Sequence, residues 1–456
     1  MNRKVRRIHF VGIGGVGMSG LAEVLCASGY TVSGSDMRES EVLERLGGLG
    51  IRISIGHDAT TVAGADVLVY SSAIPATNPE IQEAERARIP VIARAEMLAE
   101  LMRLKYGIAI SGSHGKTTTS SLVASVLQEG GLDPTAIIGG RLHSLGANSR
   151  LGCGYVLVAE ADESDGSFLH LVPTVVVITN LDREHLDHYG NLEALEDAFV
   201  DFANRVPFYG LCVLCLDDPK LRALLPRIAR RNRSYGLSTQ AEISATSIEP
   251  DGLDTLFVAR SGKHELGPLR LRMPGIHNVR NALAAIAVGL EFDVPFPQIR
   301  EALEQFRGIA RRFEIVGEPG SLLVIDDYAH HPTEIRATLA AARSGLGRRS
   351  VVVFQPHRYS RTRDLFEELA GCFHDADVVV LTDIYAAGEP KLPGVDSTSL
   401  AEAVKQTGHR NTHLVREREE IIPALRELVQ QGDAVLFMGA GDIGRLARTF
   451  TEEWTD

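Results

Sequence analysis

Apolar residues along this chain come in short unbroken runs, and glycines or polar residues follow nearly every one. Runs such as IHFV, VLVAE, TVVVI and AVLFM are too short and too continuous for amphipathic helices, so they predict buried strands. Stretches with helical spacing, such as SSLVASVLQ, lie between them. Strand and helix patterns in alternation predict an α/β fold with parallel sheets covered by helices. The pattern restarts three times: at IHFVGIGG, at YGIAISGSHGKTTTS and around Arg312. We therefore expect three domains, at residues 1–105, 106–311 and 312–456. The first is Rossmann-like, with TVSGSD and ADVLVYSSAI as further strands and a helical stretch from Ala95 to Leu104. The second is a P-loop ATPase domain and the third another α/β domain. In such sheets ligands collect at the carboxyl ends of the strands, and that is where the polar clusters fall.

Composition narrows the function. The 456 residues are 44% hydrophobic and 23% charged, ordinary values for a globular chain. The net charge of −12 argues against nucleic acid as a partner, because phosphate backbones demand clustered Lys and Arg. An anionic substrate must then be held by helix starts, glycine loops, a few basic residues and metal ions. Cys212 and Cys215 have C-x-x-C spacing, but they lie in the apolar run LCVLCLD with no second pair, which reads as a buried strand. The basic start MNRKVRRIHFVGIGG has too short an apolar part for a signal peptide, and no stretch reaches the ~20 apolar residues of a membrane span. A cytoplasmic location is expected. The pattern carries no signal for oligomeric state.

The sharpest chemical signal is Gly112-Ser113-His114-Gly115-Lys116-Thr117-Thr118, between a strand and a helix. Glycines let backbone N–H groups turn toward phosphate oxygens, and the helix start adds positive potential. Lys116 would reach the terminal phosphates of ATP and Thr117 would ligate Mg²⁺. Ile110 stands where the strict pattern has its first glycine, so the loop is a shortened variant. His114 reads equally well as a solvent-facing spacer. Two acidic strand ends follow: Glu160-Ala161-Asp162-Glu163-Ser164-Asp165, and Asn180-Leu181-Asp182-Arg183-Glu184-His185-Leu186-Asp187. Mg²⁺ takes hard oxygen ligands, commonly one or two side chains plus substrate phosphates.

In this order and spacing, the loop and the two acidic runs resemble the central domain of the Mur ligases, the cytoplasmic enzymes that build the peptide stem of bacterial peptidoglycan. The resemblance covers essentially the whole chain. It implies that Lys116 binds phosphate, that Thr117 and Glu160 hold one Mg²⁺, and that His185 helps hold a second. Asp162, Glu163 and Asp165 would orient loops or solvate the site.

The outer segments carry the resemblance further. Gly12-Ile13-Gly14-Gly15-Val16-Gly17-Met18 has the G-x-G-x-x-G form, and Asp36 ends the next strand. Alone this reads as a dinucleotide site and would suit an NAD-dependent oxidoreductase, which leaves the phosphate loop unexplained. In the family the same physics implies UDP-sugar recognition by Gly14, Gly15, Val16 and Gly17. Asp36 would lie near a ribose or uridine, with Ser71 and Ser72 assisting. His277-Asn278-Val279-Arg280-Asn281 resembles an adenine-proximal motif, where Asn278 and Asn281 suit an adenine edge or, for Asn278, a helix cap.

Arg312 is implied to stabilise phosphate charge. Asp326-Asp327-Tyr328-Ala329-His330-His331 and Gln355-Pro356-His357-Arg358-Tyr359-Ser360-Arg361 look like the alanine-adding branch. There Asp327 and His330 belong with the reacting groups, and Arg358 and Arg361 grip the amino-acid carboxylate. No lysine occurs between His185 and Lys220, where several siblings place a carbamylated one. The implied substrates are UDP-N-acetylmuramic acid, L-alanine and ATP, with two Mg²⁺ ions and an acyl phosphate between the two steps. His330 would position the amine or accept its proton. The alternative within the family is a ligase that recycles a murein tripeptide onto the same nucleotide sugar.

Overall fold

The computed structural model describes residues 5–71, 73–139 and 149–454. Ser72, expected to assist at the nucleotide sugar, lies outside the described residues. The chain divides into two compact units. The first comprises Met1–Ser247, Phe257–Leu269 and Arg280–Phe306, and the second Ile248–Leu256, Arg270–Val279 and Arg307–Asp456.

The first sheet contains β1 (Arg7–Val11), β2 (Thr31–Asp36), β3 (Arg52–Ile55), β4 (Val67–Tyr70) and β5 (Val91–Ala93), in the order β3-β2-β1-β4-β5. All its pairings are parallel. The strand order reverses beside β1, and the glycine loop Gly12–Gly15 leaves β1 there to enter the helix Val16–Ala27. The predicted helix near residue 95 runs over Arg94–Met102.

The second sheet is built on β6 (Tyr106–Ser111), β7 (Thr135–Ile137), β8 (Ser149–Arg150), β9 (Val156–Glu160), β10 (Val175–Ile178), β11 (Leu211–Cys215) and β12 (Asn232–Gly236). Three longer strands follow: β13 (Ile243–Asp251), β14 (Asp254–Ser261) and β15 (His264–Leu271). The order is β15-β14-β13-β12-β11-β10-β6-β9-β7-β8. β6 lies between β10 and β9, so the loop after β6 again opens at a reversal of strand order. The strand reading of Cys212 and Cys215 holds: both lie in the fully buried β11, and burial pushes their thiols up to about 12 and about 11. Neither offers a thiolate for metal or redox chemistry near neutral pH.

The third sheet has β16 (Glu314–Gly317), β17 (Leu323–Asp327), β18 (Ser350–Phe354), β19 (Val378–Leu381), β20 (Thr412–Leu414) and β21 (Ala434–Met438), in the order β16-β17-β21-β18-β19-β20. Only β16 pairs antiparallel. Leu323 and Ile325 face one hydrophobic cluster, and Leu322 and Val324 face another. That alternation buries both sides of the sheet, which is why its strands read as unbroken apolar runs. Only the strand ends are left for polar chemistry.

Candidate active site

The phosphate loop takes its shape from two strained glycines. Gly112 has φ +124°, and a Cβ there would sit 2.2 Å from Thr179 Oγ1 and 2.9 Å from the Asn180 carbonyl. Gly115, with φ +79°, caps the helix Lys116–Glu129, and a Cβ there would meet Asn281 Oδ1 at 2.7 Å. The end of β10 staples the loop. Ser113 N donates to the Asn180 carbonyl at 3.1 Å, and His114 N to Asn180 Oδ1 at 2.9 Å. Thr179 Oγ1 and Asn180 Nδ2 both donate to the His114 carbonyl. His114 is not the solvent-facing spacer that was one expectation. Its side chain is 12% exposed, with Nε2 3.2 Å from Asp182 Oδ2.

Lys116 is placed by these carbonyls and by a carboxylate. Its Nζ donates to Gly112 O at 2.7 Å and to Glu163 Oε1 and Oε2 at 2.8 and 3.0 Å. Burial works against the ammonium, but Glu163, Asp162 and Glu184 outweigh it and lift its pKa above the ordinary range. Burial pushes the Glu163 carboxyl up to about 7 against the pull of Lys116. Thr117 and Thr118 lie buried in the first helical turn.

Glu163, Glu184 and His185 bring ligand atoms within 4.8 Å of one another, a spacing that suits one cation. The hard oxygens fit Mg²⁺, and the adjacent loop leaves the remaining positions to phosphate. His185 was expected in this role. Glu163 and Glu184 were not, because nothing local in the sequence ranks one carboxylate of an acidic run above its neighbours. Glu160 ends β9, with Oε2 2.5 Å from where a Cβ on Gly139 would stand.

Asn281 Oδ1 accepts from Thr119 Oγ1 at 3.2 Å and so supports the loop from beneath. Arg280 pairs with Asp217 at 2.7 Å. Asn278 Nδ2 donates back to the Pro274 carbonyl at 2.8 Å, the local bond of a helix start.

In the N-terminal sheet, Gly12 has φ +77°, and the Ser35 carbonyl receives both Gly12 N and Ile13 N. Asp36 Oδ2 accepts from Gly14 N at 2.8 Å, and Oδ1 from Met37 N. Its carboxylate thus braces the loop. Gly17 lies against Arg94, which the sequence reading missed: a Cβ there would be 2.9 Å from the guanidinium. Ser71 Oγ accepts from Ala73 N at 3.4 Å.

The second unit gathers its polar residues at the ends of β17 and β18. Arg311 and Phe313 have positive φ, and Asp327 braces that turn by accepting from Phe313 N and Ala329 N, each at 2.7 Å. Burial raises the Asp327 carboxyl to about 6. Arg311 and Arg312 both lie over the Tyr328 ring, at 5.0 and 5.1 Å from its centroid. The two adjacent histidines have different jobs. His331 caps the helix Pro332–Leu346 through Thr333 N. His330 places Nδ1 3.0 Å from the Tyr328 carbonyl, an atom that can only accept. Nδ1 therefore carries the proton, and Nε2 is the basic edge of the neutral ring.

His357 has the opposite tautomer. Arg361 can only donate, and it reaches His357 Nδ1 at 3.2 Å, so Nε2 holds the proton. Burial, His330, Arg361 and Arg358 hold the His357 pKa down to about 3. Tyr385, which the sequence did not single out, stacks on His357 at 5.5 Å. Arg358 is exposed, with φ +69° and its N–H bonded to the Tyr385 carbonyl.

The chain is similar to known proteins along nearly its whole length. Residues 7–106 match the model of the Mur ligase family catalytic domain, 110–289 the Mur ligase middle domain, and 311–441 the Mur ligase glutamate ligase domain. A UDP-N-acetylmuramate–L-alanine ligase of Sorangium cellulosum is 56% identical over 448 residues, covering 98% of this chain and 96% of that one. One from Geobacter sulfurreducens is 56% identical over 452 residues, covering 99% and 98%. Among solved structures, the UDP-N-acetylmuramate-alanine ligase of Thermotoga maritima superposes with a TM-score of 0.83 at 32% identity, covering 98% of each chain. The murein peptide ligase of Psychrobacter arcticus, at 24% identity and a TM-score of 0.71 over 99% of this chain and 100% of its own, shares the fold.

Proposed function

Because the chain belongs to the Mur ligase family, we propose that it joins L-alanine to UDP-N-acetylmuramic acid at the expense of ATP. The observation that carries the reading is Lys116, held between the Gly112 carbonyl and the Glu163 carboxylate at the mouth of a glycine loop. The identity of 54–56% to L-alanine ligases over nearly the full length favours alanine over a tripeptide as the amine donor.

The muramyl carboxylate attacks the γ-phosphorus of ATP, and the bond to ADP breaks, giving an acyl phosphate. Lys116 and the start of the helix Lys116–Glu129 present positive charge at the loop, where phosphoryl transfer is mostly positioning and charge neutralisation. Thr117 and Glu160 would hold one Mg²⁺ and Glu163, Glu184 and His185 a second, and the ions would supply further neutralisation of phosphate charge. The alanine amine then attacks the acyl carbon, the amide forms, and phosphate leaves. His330, whose Nδ1 is turned to the Tyr328 carbonyl, takes the proton released by the amine. Arg358 and Arg361 hold the alanine carboxylate, and Arg312 stabilises phosphate charge. Gly14, Gly15 and Gly17 carry the diphosphate, and Asn278 and Asn281 border the ATP site. We place the work in the cytoplasm, where ATP and nucleotide sugars are available.

Phosphate release, measured with ATP, UDP-N-acetylmuramic acid and one amine at a time, tests this. L-Alanine is expected to give the fastest release. A murein tripeptide that outpaces it would move the chain to the recycling reading.

A further inference from the structure

Asp326 is a buried carboxylate that the chemistry above does not use. It precedes Asp327 on β17, so the two side chains lie on opposite faces of the sheet. Asp326 shares its face with Val324, which packs in one layer with Phe437, Ile443 and Leu446. It is fully buried, and neither carboxylate oxygen accepts a hydrogen bond among the described residues. Arg311 Nε lies 3.4 Å from its Oδ2. Burial raises the carboxyl above the ordinary range, against the pull of Arg311. The helix Ile443–Glu453 makes room for it. A Cβ on Gly444, in the first turn, would stand 2.9 Å from Asp326 Cγ and Oδ1 and nearer still to Oδ2. Gly444 is not among the glycines of positive φ, so the position needs its space and not its freedom. Glycine disfavours a helix interior, and apolar side chains would serve stability at least as well as a buried ion pair. Two unfavourable choices at one contact point to a role in orientation.

That role falls on the turn that carries Arg312. Arg311 has φ +59° and Phe313 φ +50°. Residues with a Cβ hold such conformations only where their surroundings fix them. The turn is gripped from both faces of the sheet. Asp327 accepts the Phe313 N–H on one face. On the other, the Arg311 guanidinium is stretched between Asp326 and the Gly439 carbonyl, to which Nη2 donates at 2.6 Å. The Arg311 carbonyl in turn accepts from Tyr328 N at 2.7 Å. Arg312 stands between these anchors. The two guanidinium groups also share the Tyr328 ring, so like charges meet there. Asp326 neutralises Arg311 and ties it down, which leaves Arg312 as the arginine to meet a phosphate.

We propose that Asp326 is a positioning residue for phosphoryl transfer: it holds Arg311 as a strut from β17 to the Gly439 carbonyl, and the strut fixes the turn that presents Arg312. Gly444 belongs to the same device, because only a residue without a side chain lets the helix Ile443–Glu453 pack over the carboxylate. This rests on the reading of Arg312 as the residue that stabilises phosphate charge.

A double-mutant cycle of Asp326→Asn and Arg312→Ala tests it, read as phosphate release by the full chain with ATP, UDP-N-acetylmuramic acid and L-alanine. Asp326→Asn keeps the shape and removes the charge. It should lower the Tm, since Arg311 loses its counter-ion, and at a temperature where the variant is folded it should slow release about 10- to 100-fold, the cost of a misplaced reacting geometry. In the Arg312→Ala background the same change should cost less than about twofold, because the arginine it positions is gone. A residue that only held the fold together would cost as much in both backgrounds, and that result overturns the proposal. Full activity of Asp326→Asn overturns it too. If Asp326→Asn does not fold, Arg311→Lys enters the same cycle, with the same outcomes, since it keeps the charge and loses the second arm of the strut. Wild-type turnover in Arg312→Ala overturns instead the reading of Arg312 beneath the proposal.

Discussion

Two glycine loops in this chain solve one problem in opposite ways. Each leaves a parallel strand where the strand order reverses, and each feeds the start of a helix. The N-terminal loop uses its neighbouring carboxylate, Asp36, to hold its own Gly14 and Met37 N–H groups. The central loop is held instead by neutral groups, Thr179, Asn180 and Asn281. Its carboxylate, Glu163, is set against Lys116. A loop that only binds a diphosphate needs a fixed backbone. A loop that transfers a phosphoryl group also needs a mobile balance of charge, supplied by a lysine, acidic side chains and a cation. The shared pattern of glycines predicts anion binding in both, and the residues around them separate binding from transfer.

The comparison breaks most visibly at Lys116. Lys116→Ala should reduce phosphoryl transfer by roughly 10²–10³-fold or more, because a cationic donor to the reacting phosphate is lost. UDP affinity, which we assign to the other loop, should be unchanged. Single-turnover phosphate release and a UDP titration on the same protein separate the two. Normal turnover in the variant would mean that the central loop is not the transfer site.

Next in size is Gly115→Ala. The φ of +79° costs a residue with a Cβ about 1–2 kcal/mol, and the methyl would press on Asn281 Oδ1 at 2.7 Å. We expect a lower Tm and ATP affinity weakened at least about tenfold, with UDP affinity intact. ATP binding as tight as that of the wild type would show that Asn281 and the glycine do not shape the nucleotide site together.

Asp36→Asn probes the other loop. The amide keeps one acceptor oxygen but turns an N–H₂ toward a backbone N–H that the carboxylate had satisfied. Loss of one hydrogen bond to a charged group is worth about 1.5–3 kcal/mol, so UDP affinity should fall about tenfold or more. The KM for ATP should not move. A shift in the KM for ATP instead of UDP affinity would contradict the division of labour.

The legibility of the site follows the range of its contacts. The glycine–lysine loop was readable because its requirements are local: left-handed glycines, a lysine and a helix start within a few residues. The motifs also single out His185, Arg361 and His330, and the structure sets His185 beside Glu163 and Glu184 and Arg361 against His357. The run Glu160–Asp165 does not mark out Glu163, because its burial, and with it the pairing to Lys116, depends on how β9 and β6 pack. Tyr385 and Arg94 act through stacking and close approach, which leave no periodic trace. Of the double histidine, the sequence could not say that His331 is spent on capping a helix while His330 keeps a basic nitrogen, because that distinction rests on one carbonyl, at Tyr328.

The smallest effect is the most discriminating for the N-terminal loop. Gly15 has φ −60° and ψ 142°, a conformation open to any residue, and a Cβ there would find its nearest neighbour, the Gly12 carbonyl, at 3.4 Å. Nothing in the fold asks for glycine at this position, in contrast to Gly115. Gly15→Ala should therefore stabilise the free protein by ~0.4–1 kcal/mol, since alanine restricts the unfolded chain. If the fold does not require the glycine, the ligand does: a diphosphate approaching the helix start needs bare backbone there. UDP should accordingly bind the more stable variant more weakly, and ATP should bind it as before. A variant that gains stability with unchanged UDP affinity would show that the diphosphate does not approach the loop at Gly15, and the likeness between the two loops would then be one of backbone alone.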